Sequence, residues 1–191
     1  MLRGAVFVMG AWVGCLALVS VQGCDSGGAS PDFAAEAVDA PAESAVSAIE
    51  PTAAQAGVAA VLSGYERLRS LLAGDAMKAV GAAATQLADG ANQAAKAAPE
   101  EQRAALQAVA AAAQRLADMP KEDPAKIRVA FGEVSRPLVN LMTGEPELRS
   151  GWHLFECPMA EGYPRWLQPS ATISNPYMGK RMPRCGAERT F

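Results

Sequence analysis

Soft sulfur donors are concentrated near the C-terminus of this sequence. Two of the four cysteines, three of the eight methionines and the only histidine fall between residues 153 and 185. These six candidate ligands are His153, Cys157, Met159, Met178, Met182 and Cys185. Thiolate and thioether sulfurs select soft cations such as Cu(I) and Ag(I). The residue types therefore predict a soft-metal site in this segment, with the histidine as a borderline ligand.

The spacing places some of these donors on a common face. Cys157 and Met159 share a face where the chain is extended, and Met178 and Met182 share a face where it is helical. Basic residues around Cys185 are expected to favour its thiolate, which is the form that binds a metal.

The first 30 residues have the layout of a secretory signal. Arg3 precedes a run without charge from Ala5 to Val21. The run ends in Val21-Gln22-Gly23-Cys24, which resembles the lipobox of bacterial lipoproteins. The resemblance implies cleavage of residues 1–23 and a diacylglycerol on the Cys24 sulfur, an anchor that holds a protein on a membrane. The alternative is an uncleaved signal anchor, because 17 apolar residues approach the roughly 20 that span a bilayer.

Export gives the two late cysteines a second interpretation. Outside the cytoplasm, two cysteines in a small domain form a disulfide by default. Cys157 and Cys185 are therefore predicted either to be bridged or to bind a metal, and a bridge could coexist with a site made of methionines alone.

Several short motifs follow one another in the last 35 residues. They are Cys157-Pro158-Met159-Ala160, then Gly162 and Trp166-Leu167, then Ile173, Asn175-Pro176-Tyr177, Gly179 and Met182, and finally Cys185-Gly186. This order resembles a bacterial family of exported domains of unknown function, which also occurs at the C-terminal end of CusB-like periplasmic adaptors of RND copper and silver efflux pumps. The resemblance implies a helical part followed by a cysteine-containing tail, and an association with heavy-metal efflux.

Charge and motif content argue against two function classes. One of the 17 basic residues, Arg3, lies in the leader, so the chain from Cys24 onward carries 16 basic against 20 acidic residues. Such an acidic chain is not expected to bind nucleic acid. Catalysis is not expected either, because the chain has one histidine and lacks a Cys-x-x-Cys pair, a phosphate-binding glycine loop and a nucleophile elbow.

The elements that must position the sulfur donors are mostly helical. Residues 24–52 are rich in small and polar side chains and are expected to form a flexible tether. Residues 53–149 show four amphipathic segments, which predict a slim, alanine-rich antiparallel four-helix bundle. The helix start signals are the Thr52-Ala53-Ala54-Gln55 capping box, Asp75, Pro99-Glu100-Glu101 and Asp123-Pro124. The first two helices are expected to end at Gly74 and near Gly90, and charged side chains such as Arg69 are expected to face solvent.

Residues 150–191 contain too many glycines and prolines for long regular elements. We expect an irregular tail packed on the bundle, with one short strand around Trp152 to Cys157 and a possible second strand near Trp166. The fold is then mainly α, and function is expected to reside in the tail.

Three functional hypotheses follow from these features. The first is a lipid-anchored periplasmic accessory protein that binds or senses Cu(I) or Ag(I) in connection with efflux, with an efflux adaptor or another periplasmic protein as its partner. The second is a structural or protein-interaction lipoprotein with a Cys157–Cys185 disulfide and no metal role. The third, which the motif content favours least, is a thiol redox enzyme that acts through Cys157.

Overall fold

The computed structural model describes residues 51–120 and 122–191. Four helices come first: α1 (Ala53–Ala73), α2 (Met77–Ala97), α3 (Glu100–Ala117) and α4 (Pro124–Gly144). The predicted mainly α fold, with four helices ahead of an irregular tail, is confirmed. The predicted signal peptide, the lipidated Cys24 and the tether up to residue 50 lie outside the described residues. Within the described ranges, no helix combines the length and the apolarity needed to cross a bilayer.

Two helix starts follow the sequence signals closely. The Thr52 side chain accepts a hydrogen bond from the backbone N–H of Gln55, and the Gln55 side-chain oxygen accepts one from the backbone N–H of Thr52, so the predicted capping box is present. The Asp123 side chain accepts from the backbone N–H of Lys126 at 3.1 Å, and Pro124 begins α4 as predicted. Both arrangements satisfy backbone donors that a helix leaves without partners in its first turn.

The predicted limits of α2 are wrong at both ends. No side chain caps its start, because Asp75 adopts a left-handed backbone conformation (φ 57°) and its carboxylate points instead toward Arg128 and the backbone of Lys180. The helix also continues through Gly90 to Ala97, although glycine disfavours a helix interior by up to about 1 kcal/mol. Burial of further alanines beyond Gly90 outweighs that penalty.

Each helix packs against the next one along the chain. The C-terminal tail also packs on the helices, because its second strand contacts both α4 and α1. Buried side chains of the helices and of the tail form one continuous hydrophobic core.

The tail contains a small antiparallel sheet. Its strands are β1 (His153–Glu156), β2 (Arg165–Gln168) and β3 (Ala187–Arg189), in the spatial order β2-β1-β3. The first two were predicted, and β3 was missed. All three residues of β3 are exposed, so they lack the alternation of apolar and polar side chains that marks a half-buried strand. Short 3-10 turns occur at Pro146–Arg149 and Gly179–Arg181.

Aromatic rings connect the helices to this sheet. Tyr65 on α1 stacks on Phe131 on α4, with ring centroids 5.4 Å apart, and Phe131 contacts Tyr177 at 5.7 Å. Tyr177 meets Trp166 on β2 edge to face at 5.9 Å, and Trp166 stacks on Phe155 on β1 at 5.4 Å. This series of contacts holds the irregular tail against the bundle.

The buried hydroxyl of Tyr65 connects α1 with α4 and β2. The backbone N–H of Leu167 donates to the Tyr65 hydroxyl at 3.2 Å, and the Tyr65 and Ser135 hydroxyl oxygens form a second hydrogen bond at 2.6 Å. Burial, opposed by these hydrogen bonds, raises the pKa of Tyr65 well above its usual value. The phenol is therefore neutral at neutral pH.

We predict that Tyr65→Phe lowers the free energy of unfolding by about 2 kcal/mol, because the buried Leu167 N–H loses its acceptor and the buried Ser135 hydroxyl loses its hydrogen bond to Tyr65. Urea unfolding followed by circular dichroism measures the change. The matched control is Tyr163→Phe, since the half-buried Tyr163 hydroxyl donates no hydrogen bond to any residue that the structure describes. Equal losses in the two variants would show that the Tyr65 hydroxyl is not structurally important.

Candidate functional site

The two late cysteines lie against each other. Cys157 Sγ and Cys185 Sγ are 3.6 Å apart and are not bonded to each other in these conformations. Cys157 follows β1 and is fully buried, whereas Cys185 precedes β3 and is partly exposed. Their backbones are fixed by hydrogen bonds from Cys157 N to Pro164 O at 3.0 Å and from Asn175 Nδ2 to Cys185 O at 2.5 Å. The pair is therefore held by the fold and does not depend on a chance approach of two loops.

The expected activation of Cys185 by neighbouring basic residues is wrong. Loss of hydration raises the pKa of the Cys185 thiol, and the adjacent Cys157 raises it further. Arg184, the nearest basic residue in sequence, is exposed and directs no stabilising interaction to the sulfur. In the reduced protein, Cys185 is a neutral thiol at neutral pH.

Two of the methionines line a groove instead of joining the thiol pair. The groove has a volume of about 350 Å³, and its walls include Met159, Met178, Asp75, Arg128 and Arg181. Met159 is 55% exposed at its rim. The Met178 sulfur accepts a long hydrogen bond of 3.7 Å from the Arg181 guanidinium. Met182 is also exposed and lies outside the groove lining.

His153 is directed away from the sulfurs. Its Nδ1 atom lies 2.7 Å from Glu188 Oε1, so the ring connects β1 to β3. Cys157 is four residues further along an extended chain, which separates the two Cα atoms by about 13 Å. Phe155 lies between them on the same side of the strand, with its ring 6.2 Å from that of His153.

Of the six predicted donors, the structure thus brings together Cys157 and Cys185. Within the described ranges, no group of three or more His, Cys, Asp or Glu side chains could hold a metal ion. The sulfur separation itself fits shared ligation, since two thiolates about 2.3 Å from a tetrahedrally coordinated ion lie about 3.8 Å apart. A metal on this pair would have two protein thiolates as ligands and would need further ligands from outside it.

A polar cluster next to the groove was not foreseen from the sequence. It consists of Asp75, Arg128, Gly179 and Lys180 and is called the Asp75 cluster below. Arg128 forms an ion pair with Asp75, donates to Leu72 O at 3.0 Å and also donates to Pro176 O. Asp75 Oδ2 accepts from the backbone N–H of Lys180 at 3.0 Å. Burial lowers the pKa of Arg128, while Asp75 opposes that shift. The cluster fastens the tail to the corner between α1 and α2.

The sequence also did not predict that Arg69 is buried and contacts the tail. It was expected to face solvent, but it is buried: it pairs with Glu66 at 2.6 Å and donates to Ser174 O at 2.5 Å. The side of α1 that bears Arg69 is covered by the tail, and helical periodicity within α1 carries no information about that distant segment.

No protein-family model, curated protein or solved structure matches this chain. The resemblance to exported domains associated with metal efflux therefore stays a prediction, and the function is argued from the site.

We predict that Gly179→Ala lowers the free energy of unfolding by about 3 kcal/mol. Gly179 has a φ of +55°, a conformation that strains any residue with a side chain, and an added Cβ would overlap the Asp75 carboxylate and the Arg128 guanidinium. The ion pair must then separate. Thermal and urea unfolding measure the loss.

The matched control is Gly90→Ala. Gly90 lies inside α2, and an added Cβ there meets no atom within 4 Å. The same chemical change should therefore raise stability by about 0.5–1 kcal/mol, since alanine favours a helix interior over glycine. A Gly179→Ala variant as stable as the parent would show that the Asp75 cluster contributes little.

Proposed function

We propose that this chain is a lipid-anchored protein of the cell envelope whose C-terminal tail is closed by a Cys157–Cys185 disulfide and presents a groove to a partner protein. It acts by binding and carries out no catalysis. The observation that carries the proposal is the 3.6 Å separation of the two sulfurs.

The anchor is supported by the sequence. The Val21-Gln22-Gly23-Cys24 motif follows an uncharged apolar run of the length typical of signal peptides. Acylation of Cys24 would place the folded body in the periplasm, where a disulfide is the usual state of a close cysteine pair.

The disulfide is supported by what it would connect. Rotation of the two side chains brings sulfurs in contact to bonding distance, and a disulfide-exchange partner of the envelope accepts the two electrons that the thiols lose. The bond would close a loop of about 29 residues, which stabilises the folded state by about 3–4 kcal/mol in the chain-entropy model. That loop contains β2 and the Asn175-Pro176-Tyr177 segment, where regular hydrogen-bonded structure is sparse. A covalent link therefore adds the most stability to the part of the chain that secondary structure stabilises least.

The groove supports a binding role. Its lining combines unbranched thioether side chains, which adapt to different surfaces, with the charged groups of Asp75, Arg128 and Arg181. The family resemblance suggests an efflux adaptor or another periplasmic protein as the partner.

The proposal predicts a defined covalent state for protein purified from membranes. Intact-mass spectrometry after alkylation without reduction should show an acylated N-terminal Cys24 and no alkylated thiol. Reduction before alkylation should add two labels. Replacing both Cys157 and Cys185 with serine should lower the free energy of unfolding by about 3 kcal/mol relative to the oxidised parent.

Each half of the proposal has its own control. Cys24→Ser should abolish acylation and leave Cys157 and Cys185 unlabelled before reduction; because the leader then stays attached, its Cys15 should account for one label. Two labelled thiols in the unreduced protein would rule out the disulfide, and a mature chain without acyl groups would rule out the anchor.

A second candidate function is soft-metal binding by the reduced pair. The sulfur separation of 3.6 Å is close to the distance expected for two thiolates on one ion, and thiolate ligands favour Cu(I) or Ag(I). In this interpretation Cys157 and Cys185 supply the protein ligands, while Met159, Met178, Met182 and His153 contribute little.

This candidate predicts that the reduced chain takes one equivalent of Cu(I) from a chromogenic competitor and that Cys157→Ser loses that equivalent. The matched control is the Met159→Leu/Met178→Leu double variant, which should keep the metal because the structure places both thioethers on the groove and not at the thiol pair. Failure of the parent protein to retain stoichiometric Cu(I) would eliminate the metal role.

A further inference from the structure

Exposed cations are concentrated in one short loop of the tail. Residues 180–184 are all exposed and include Lys180, Arg181 and Arg184. None of these three side chains forms an ion pair with any residue that the structure describes. The sequence contains no Asp or Glu between Glu161 and Glu188, so the local charge is not neutralised by neighbours along the chain.

Two exposed apolar side chains, one in the loop and one across the groove from it, accompany these cations. Met159 is 55% exposed and Met182 is 37% exposed, and these are the large hydrophobic side chains that the described part leaves most open to solvent. Met182 follows Arg181 directly, and Met159 lines the same groove as Arg181. Of the carboxylates at this groove, Asp75 is paired with Arg128, which leaves Glu161 as a single negative charge at the rim.

The loop is held rigidly from beneath. The buried Asn175 side chain accepts from the backbone N–H groups of Tyr177 at 2.7 Å and Met178 at 3.0 Å, and it donates to Cys185 O. The Asn175 backbone N–H donates to Pro183 O at 2.9 Å. The cations are therefore displayed by a fixed backbone, and ordering them on a partner costs little backbone entropy.

We propose that this surface is a docking site for a membrane containing anionic phospholipids. It comprises Lys180, Arg181, Arg184, Met159 and Met182 and is called the basic face below. Each Lys or Arg near an anionic leaflet raises partitioning onto it about fivefold, and thioether side chains at the interface add apolar contact. Unpaired cations beside exposed methionines on a protein that is acidic overall fit a lipid surface better than a nucleic acid.

The geometry of the chain allows the anchor and the basic face to engage one membrane together. This arrangement rests on the proposed lipid anchor. The basic face lies at the Asp75 end of α1, about 30 Å from the Thr52 end at which the helix begins. The 28 residues from Cys24 to Thr52 can span up to about 95 Å. That length is enough for the α1–α2 corner to lie against the bilayer that holds Cys24.

The test uses a chain that begins at Asp25, so that no acyl group is present. This chain is mixed with vesicles of neutral phosphatidylcholine, or with vesicles in which phosphatidylglycerol makes up one third of the lipid. Co-sedimentation should show binding to the anionic vesicles only, and binding should weaken as salt is raised from 0.1 M to 0.5 M. Lys180→Glu/Arg181→Glu/Arg184→Glu should reduce the partition coefficient at least about a hundredfold, since three attractive contributions of about fivefold are lost and three repulsive charges are added. Met159→Ser/Met182→Ser should reduce it about tenfold.

The matched control is Arg67→Glu/Lys96→Glu/Arg136→Glu, which makes the same change in net charge at exposed positions of α1, α2 and α4 outside the helix turns that form the α1–α2 corner. It should bind within about threefold of the parent, and circular dichroism should show that both triple variants unfold at the temperature of the parent. No binding by the parent, equal binding to neutral vesicles, or equal losses in the two triple variants would each overturn the proposal. Loss of the anchor would appear separately, as an unacylated Cys24 in the intact-mass measurement.

Discussion

The structure depends on hydrogen bonds between helix side chains and the backbone of the tail. Tyr65, Arg69 and Arg128 project from α1 and α4, and each is satisfied by a backbone group of residues 167–176. Without the tail, the helices would expose a buried phenol and two guanidinium groups beside an aromatic surface. A polar group that loses its partner in a protein interior destabilises the fold by about 1–3 kcal/mol. The bundle and the tail are therefore parts of one cooperative unit.

This dependence explains why the sulfur pair is so well placed. Cys157 follows a strand that is fixed on one side by β2 and on the other by β3, and Cys185 is held through the buried Asn175. The same Asn175 shapes the loop that carries Lys180 to Arg184. One buried amide thus organises both the proposed disulfide and the proposed membrane surface. A substitution at Asn175 is therefore expected to affect both the cysteine pair and the loop that carries the cations.

Sequence reasoning succeeded where the signal is local. The capping box at Thr52, the Asp123 cap and the helical spacing of apolar residues each concern side chains within a few turns of one another. It failed where distant segments decide the outcome. The left-handed conformation of Asp75 and the burial of Arg69 depend on the tail about 105 residues later in the chain. The alanines of α2 that follow Gly90 are buried by neighbouring helices. The stability gained from that burial exceeds the destabilising effect of the glycine, but it cannot be read from the periodicity of α2 alone.

The candidate site shows the same division. Its residue types were evident from the concentration of sulfur in the last 40 residues, but their grouping was not. Spacing suggested that Cys157 and Met159 share one face, whereas a turn after β1, closed by the bond from Ala160 N to Cys157 O, buries the cysteine and leaves the methionine exposed. Only the three-dimensional path of the chain separates the thiols from the thioethers.

The 102-residue separation between Tyr65 and Leu167 has a consequence for biogenesis. A chain exported as proposed would leave its translocation channel N-terminus first, so the four helices would enter the periplasm well before the segment that satisfies them. Their mutual contacts are local and form quickly, while the contacts to the tail would wait until the C-terminal segment has followed. During that interval the apolar side around Phe131 would be uncovered, and under the proposed export a chaperone that shields it would raise the yield of correctly folded protein.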